Sequence, residues 1–330
     1  MKQYGKGILS FIIIIWFFAA VPPALAQELM SDQEAERLAG RHYYWDDAGH
    51  SVNGWADLMI RHKRGEIRHH YHVRLREECY GKNDLEFRQY IYIFRPPDIE
   101  RLQVLLYTYV PWLHKEKDIW MYLPDLRKVR RVPQADGDDA FMGTDIIWDG
   151  LPRERPTWRD TWTHEKDDVY EGHPVHVLKA AVKTGKGLDK KTYRYPVRLC
   201  YIDKETLVAY KEEYFDRKGR LEITRKRCWF KNNFGYWRPT VYFAENHFTG
   251  SNSMTDVASR WYDDKLPDEC YAPALLGKLR SIPSFRVNHP TREGWDLQTR
   301  EFVLKCPEFP DWYKGEGLGN THTLWDWKWE

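Results

Sequence analysis

Three segments between residues 85 and 124 follow one another with breaks of only six residues: LEFRQYIYIF (85–94), RLQVLLYTYV (101–110) and KDIWMYLP (117–124). Pro96-Pro97, Pro111 and Pro124 punctuate them, and proline interrupts strands because it has no N–H for the ladder. Breaks this short leave no room for a helical crossover, so the segments must pair antiparallel, as a meander. The segments 101–110 and 117–124 are apolar on both faces. A sheet with one wet face would alternate; a curved sheet packed on one side and covered on the other need not.

The same pattern resumes downstream in HPVHVLKAAV (173–182), YPVRLCYI (195–202), LVAYKEEYF (207–215), RLEITRKRCWF (220–230) and RPTVYFAENHF (238–248). Asp203–Thr206 and Asp216–Gly219 read as hairpin turns. In GEIRHHYHVRLREE (65–78), Ile67, His69, Tyr71, Val73 and Leu75 point one way, and Arg68, His70, His72, Arg74 and Arg76 the other. This predicts a half-buried strand with a cationic outer face. SDQEAERLAG (31–40) predicts a short helix, capped by Ser31 with Glu34 and ended by Gly40. Helical character returns at 266–280, interrupted at Pro273. The expected layout is one mainly β domain over 27–280, followed by an irregular Trp-, Pro- and Gly-rich extension over 281–330.

Lys2 and Lys6 precede an apolar run from Ile8 to Val21, and small residues surround Ala26. That is the layout of a cleavable signal peptide over 1–26, so the mature chain is expected in the periplasm. Cleavage removes two of the 51 Lys and Arg and none of the 49 Asp and Glu, leaving the charges balanced. A nucleic-acid binder would show a basic excess, so that class is set aside. Sixteen Trp, 21 Tyr and 14 Phe require a large core or a lined cavity. Five cysteines (Cys79, Cys200, Cys228, Cys270, Cys306) allow at most two disulfides, and their spacing offers no redox dithiol or zinc knuckle.

Candidate chemistry is sparse. His70 and His72 share a strand face with three arginines, which repel a cation, so no metal site is assigned. His164, His173 and His176 have no obvious partner, and no G-x-S-x-G motif marks a nucleophile. TGKGLDK (184–190) reads as a hairpin loop, and no pair of acids stands out as a glycosidase would need. The chain is therefore read as a non-enzyme without a cofactor. The basic block Arg127, Lys128, Arg130, Arg131 precedes Asp136, Asp138 and Asp139. It reads either as local ion pairing on a sheet edge or as a functional patch, for docking or for recognition of an anionic lipid head group by Arg.

An ordered set of motifs spans about residues 45–275: Trp120-Met121-Tyr122-Leu123-Pro124, Arg127-Lys128-Val129-Arg130-Arg131, Phe141-Met142-Gly143-Thr144-Asp145 and Trp148-Asp149-Gly150-Leu151. IFRPPDIER (93–101), the run 201–221 and FTGSNSMTDV (248–257) extend it. This set resembles the LolA-like superfamily, in its outer-membrane lipoprotein-sorting-protein-like branch. Thr144 replaces a serine of that pattern and Gly150 an aspartate. The resemblance implies an incomplete, curved antiparallel barrel whose concave face is covered by short helices. It also implies a carrier of lipid or lipoprotein acyl chains, making only peripheral membrane contact and working with an inner-membrane transporter or a lipoprotein.

On this reading Phe94, Leu106, Trp120, Tyr122, Leu123, Phe141, Met142, Trp148 and Leu151 line the cavity or its lid, with core packing as the plain alternative for Phe141, Trp148 and Leu151. Arg127, Arg130 and Arg131 form the rim. Gly143 permits a tight turn, and Asp145 is expected to bond backbone amides. The competing readings are an envelope sensor or transporter accessory subunit acting through protein contacts, and a sugar-binding or sugar-cleaving protein.

Overall fold

A computed structural model describes residues 29–44, 51–133, 138–151, 155–183, 193–231, 237–262 and 268–278. The expected signal peptide (1–26), TGKGLDK (184–190) and the expected extension (281–330) lie outside the described residues. One helix, α1 (Asp32–Tyr44), precedes thirteen strands. These are β1 (Val52–Arg61), β2 (Ile67–Glu78), β3 (Leu85–Arg95), β4 (Gln103–Tyr109), β5 (Asp118–Leu123) and β6 (Lys128–Val132). They continue with β7 (Asp160–Tyr170), β8 (His173–Val182), β9 (Val197–Asp203), β10 (Ala209–Phe215), β11 (Leu221–Lys231), β12 (Trp237–Asn246) and β13 (Asn252–Tyr262). The expected meander is present, and β1, β6, β7 and β13 add to it where no strand was read. Within the 266–280 segment, the described residues 268–278 form two short 3-10 turns, Asp268–Tyr271 and Pro273–Leu275, in place of the expected helical character.

All strands join one antiparallel sheet in the order β6-β5-β4-β3-β2-β1-β13-β12-β11-β10-β9-β8-β7. The two meanders meet where β1 pairs with β13. Ile119 of β5 and Tyr214 of β10 belong to one buried cluster. On a flat sheet those strands would be eight spacings apart, roughly 38 Å. The sheet must therefore curl around that cluster, with β6 and β7 as open edges, and bulges at Trp55/Ala56, His164/Lys166 and Cys228/Trp229 help it bend. The result is an incomplete barrel.

Strand parity sorts the side chains. Leu58, Ile91, Ile93, Val104, Leu106 and Ile119 face the interior. The alternate residues Val73, Leu75, Tyr90, Tyr92 and Leu105 face outward and are covered by Cys270, Tyr271 and Leu276. This is why β4 and β5 are apolar on both sides. Helix α1 lies over the inner face of β7–β10, packing Ala35, Leu38 and Ala39 on Trp162, Leu178, Ala180 and Ile202. The cationic face of β2 is not the outer face. His70, His72 and Arg76 are buried on the concave side, because Leu58, opposite His70 on β1, points inward. Cys228 is disulfide-bonded to a partner outside the described residues, whereas Cys79, Cys200 and Cys270 are free thiols. No helix among the described residues is long and apolar enough to cross a membrane.

Candidate ligand-binding interior

Consecutive strands β6 and β7 occupy opposite edges of the sheet, so the chain between them has to cross a face. It crosses the concave one. Phe141, Ile146, Ile147, Trp148 and Leu151 are buried in the interior cluster, against inward residues of both meanders. Phe141 and Trp148 meet edge to face, ring centres 4.9 Å apart.

The crossing segment is folded on itself by a few polar contacts. Phe141 N–H donates to Ile146 O at 2.6 Å. The Thr144 hydroxyl donates to Phe141 O at 2.6 Å and accepts from Ile146 N–H at 3.1 Å. Met142 and Gly143 take positive φ of 53° and 77°, so Gly143 does sit at a tight turn. Asp145 departs from expectation. Its carboxylate accepts from the hydroxyls of Ser251 (2.7 Å) and Ser253 (2.9 Å), while its own N–H donates to Ser253 Oγ at 2.9 Å. Thr144 holds the local turn; Asp145 pins that turn to the start of β13. Burial raises the Asp145 carboxyl above its ordinary range, against the two serine bonds.

Beside this apolar region lies a buried charge network that the sequence reading missed. Arg155 Nε donates to Asp160 at 3.0 Å, and Arg198 Nη2 reaches the same carboxylate at 3.3 Å. Arg227 Nη2 donates to Glu212 at 2.8 Å, and Arg225 Nη1 to the Tyr214 hydroxyl at 2.7 Å. All six charged groups are buried. The signal was available, since Arg225 and Arg227 share the parity of inward Ile223, and Glu212 that of Tyr214. Gly150 passes under Arg225 so closely that a Cβ would lie 2.9 Å from Nη1. The Arg225 guanidinium instead has Glu212 of β10 at 3.6 Å. Both buried carboxylates are engaged by guanidinium groups, an arrangement unlike a pair of acids facing each other across a cleft. Burial pushes the Cys200 thiol up, which suits a structural role better than a nucleophile.

His70 is buried on the same face, and neither ring nitrogen finds a hydrogen-bond partner among the described residues. Burial, helped by the Arg68 charge, pushes its pKa down to about 4. The unfolded ring titrates near 6.5, so the folded chain binds the proton less well. Stability is then full above about pH 6.5 and is lost as the pH falls toward 4. After allowance for partial solvent screening, the loss expected from His70 is on the order of 2 kcal/mol. Urea unfolding of wild type and His70→Gln at the two ends of that range checks this. An equal loss in both proteins would remove His70 as its source.

The interior gathers Leu106, Leu123, Phe141, Met142, Trp148 and Leu151. Phe94, Trp120 and Tyr122 lie on the opposite face, under the 268–278 segment. The structure thus divides the nine expected lining residues between two faces, because Trp120 and Tyr122 alternate with inward Ile119 and Met121 along β5. Arg130 and Arg131 are exposed on edge strand β6 and Arg127 on the preceding turn, so the basic block runs along a sheet edge. A separate outer cleft of about 670 Å³ is bordered by Tyr92, Gln103, Tyr122, Arg127 and Gly277.

His164 and His176 do have a partner: both rings approach Asp167 Oδ1, at 2.9 and 2.6 Å, and Lys204 approaches its other oxygen. Their ligand atoms lie within 4.8 Å of one another, as in a metal site. However, Met30 N–H donates to His164 Nδ1 at 3.0 Å, which leaves the proton of a neutral ring on Nε2. A cation there would have to reverse that tautomer and displace a lysine. The cluster reads instead as a tether for the N-terminal segment.

A domain named for outer membrane lipoprotein sorting, from Vibrio parahaemolyticus, superposes with a TM-score of 0.66 at 20% identity, over 75% of this chain and 100% of that one. A DUF1329 family protein from Desulfovibrio piger gives 0.66 at 22%, over 74% and 98%. A LolA superfamily protein from Nitrosomonas europaea gives 0.53 at 16%, over 72% and 97%. At such identities the likeness concerns the fold. A search of curated proteins returns no match. A family model described as "Uncharacterized protein" matches residues 86–278, more than half of the chain. The chain belongs to that family, and its fold is LolA-like.

Proposed function

We propose that this protein is a non-enzymatic periplasmic carrier of a lipid or an acyl chain, with the concave face as its cargo space and the 138–151 segment as a displaceable filling. The observation that supports this most is the nature of that filling. It is a loop rather than a strand or a long helix. It contributes large apolar side chains to the interior and is pinned to β13 by the Asp145–serine contacts. An acyl chain can replace such side chains at little net loss, because burying each methylene gains about 0.8 kcal/mol. Met121 and Met142, which pack against the cluster, suit cargo of variable shape. The buried arginines lie beside this space, where an anionic head group would be favoured. The sorting role in the name of the Vibrio domain is in keeping with this reading.

The test is native mass spectrometry of the mature protein purified from periplasm, with lipid extraction of the same sample. A stoichiometric bound lipid is expected. An empty protein that also fails to bind apolar dyes would sink the carrier reading and favour a sensor or accessory subunit acting through protein contacts.

A further inference from the structure

We propose that the tip formed by loops 79–84 and 110–117 docks this protein on bilayers containing anionic lipid. The inference deepens the carrier reading and rests on it for its purpose, since a carrier must meet a membrane to load or unload. The two loops lie side by side at one end of the sheet. Val110 N–H donates to Asp84 O at 3.0 Å, and the Val110 side chain lies 3.9 Å from where a Cβ on Gly81 would be. Tyr80 is 75% exposed, Trp112 74% and Leu113 42%. Two large amphipathic rings and a leucine exposed on adjacent turns are poorly placed for a core and well placed for the head-group layer, where Trp and Tyr partition.

The neighbouring charges suit a negative surface. Lys82 is exposed on the first loop, and Arg130 and Arg131 are exposed on β6. Arg131 lies at this end of the sheet because it pairs with Trp120 and its side chain reaches Asp118, the residue that follows the second loop. Of the nearby acids, Glu116 is engaged by Arg159 and Asp118 by Arg131, and the exposed Asp84 is outnumbered by exposed Lys82 and Lys115 on the two loops.

The base of the same loop grips the chain that fills the interior. His114 stacks on Trp158 at 5.2 Å, Glu116 pairs with Arg159, and Lys117 Nζ donates to Leu151 O at 3.1 Å. A bilayer pressing on Trp112 and Leu113 therefore acts on the loop that holds the crossing segment where it leaves the cargo space.

The experiment is co-flotation of the mature full-length protein with vesicles of phosphatidylethanolamine and phosphatidylglycerol, compared with phosphatidylcholine alone. Wild type should float with the first and bind the second more weakly. Trp112→Asp combined with Leu113→Asp should lower binding at least about tenfold. Arg130→Ala and Arg131→Ala should each lower it about fivefold, the effect of one basic residue near an anionic surface. These side chains are exposed, so circular dichroism should match wild type, and so should Tm except in Arg131→Ala, which also loses the contact to Asp118. Failure of wild type to float, or equal binding by the Asp variant, overturns the proposal. So does a change from dimer to monomer in that variant without any vesicle binding, which would make the tip an interface between copies. Lipid extraction separates the two ideas: cargo without flotation sinks the docking tip alone, and flotation without cargo sinks the carrier reading alone.

Discussion

Replacing Glu212 with alanine is expected to destabilise the protein by about 3–5 kcal/mol, the usual result of removing one partner from a buried ionic cluster. One carboxylate oxygen has Arg227 at 2.8 Å and Arg225 at 3.6 Å, and the other has Arg198 at 3.9 Å. Without it, the three guanidinium groups lose the counter-charge they share in a site with little water, and Arg198 keeps Asp160. Glu212→Gln keeps the shape but not the charge, and should lose most of the same stability. Chemical denaturation of both variants at neutral pH decides the matter. Losses below about 1 kcal/mol in both would mean that the arginines are solvated or compensated from elsewhere, and that the network does not hold β9, β10 and β11 together.

Trp148→Ala carries the second large effect, about 3–5 kcal/mol, from lost burial plus the cavity left behind. The ring is buried, and it meets the Phe141 ring edge to face. The variant also probes function. If the 138–151 segment stands in for cargo, emptying its largest side chain should open a dry apolar space, and an environment-sensitive apolar dye should bind more tightly than to wild type. Stability lost without any gain in dye binding would show that the site collapses, which a cargo space should not do. The His70 pH dependence and the flotation experiment probe the concave face and the loop tip by independent routes.

Some of this was determined by the sequence alone. Short breaks between period-two segments exclude crossovers, so an antiparallel meander follows from residues 85–124 and 173–248 without further information. The doubly apolar character of 101–110 and 117–124 already required two covered faces. The motif order from Trp120 to Leu151 pointed to the LolA-like fold. Tertiary structure decided what pattern cannot encode, namely which face is inside. Period two separates Trp120 and Tyr122 from Ile119 and Met121, yet it is symmetric between the two sides. The asymmetry comes from where the β6–β7 connection crosses and where residues 268–278 lie down. For the same reason His70, His72 and Arg76 of β2, which look like part of a wet face in isolation, end up buried. Asp145 finds Ser251 and Ser253 across more than a hundred residues because the pairing of β13 with β1 puts that strand at the centre of the sheet, and no local spacing records that.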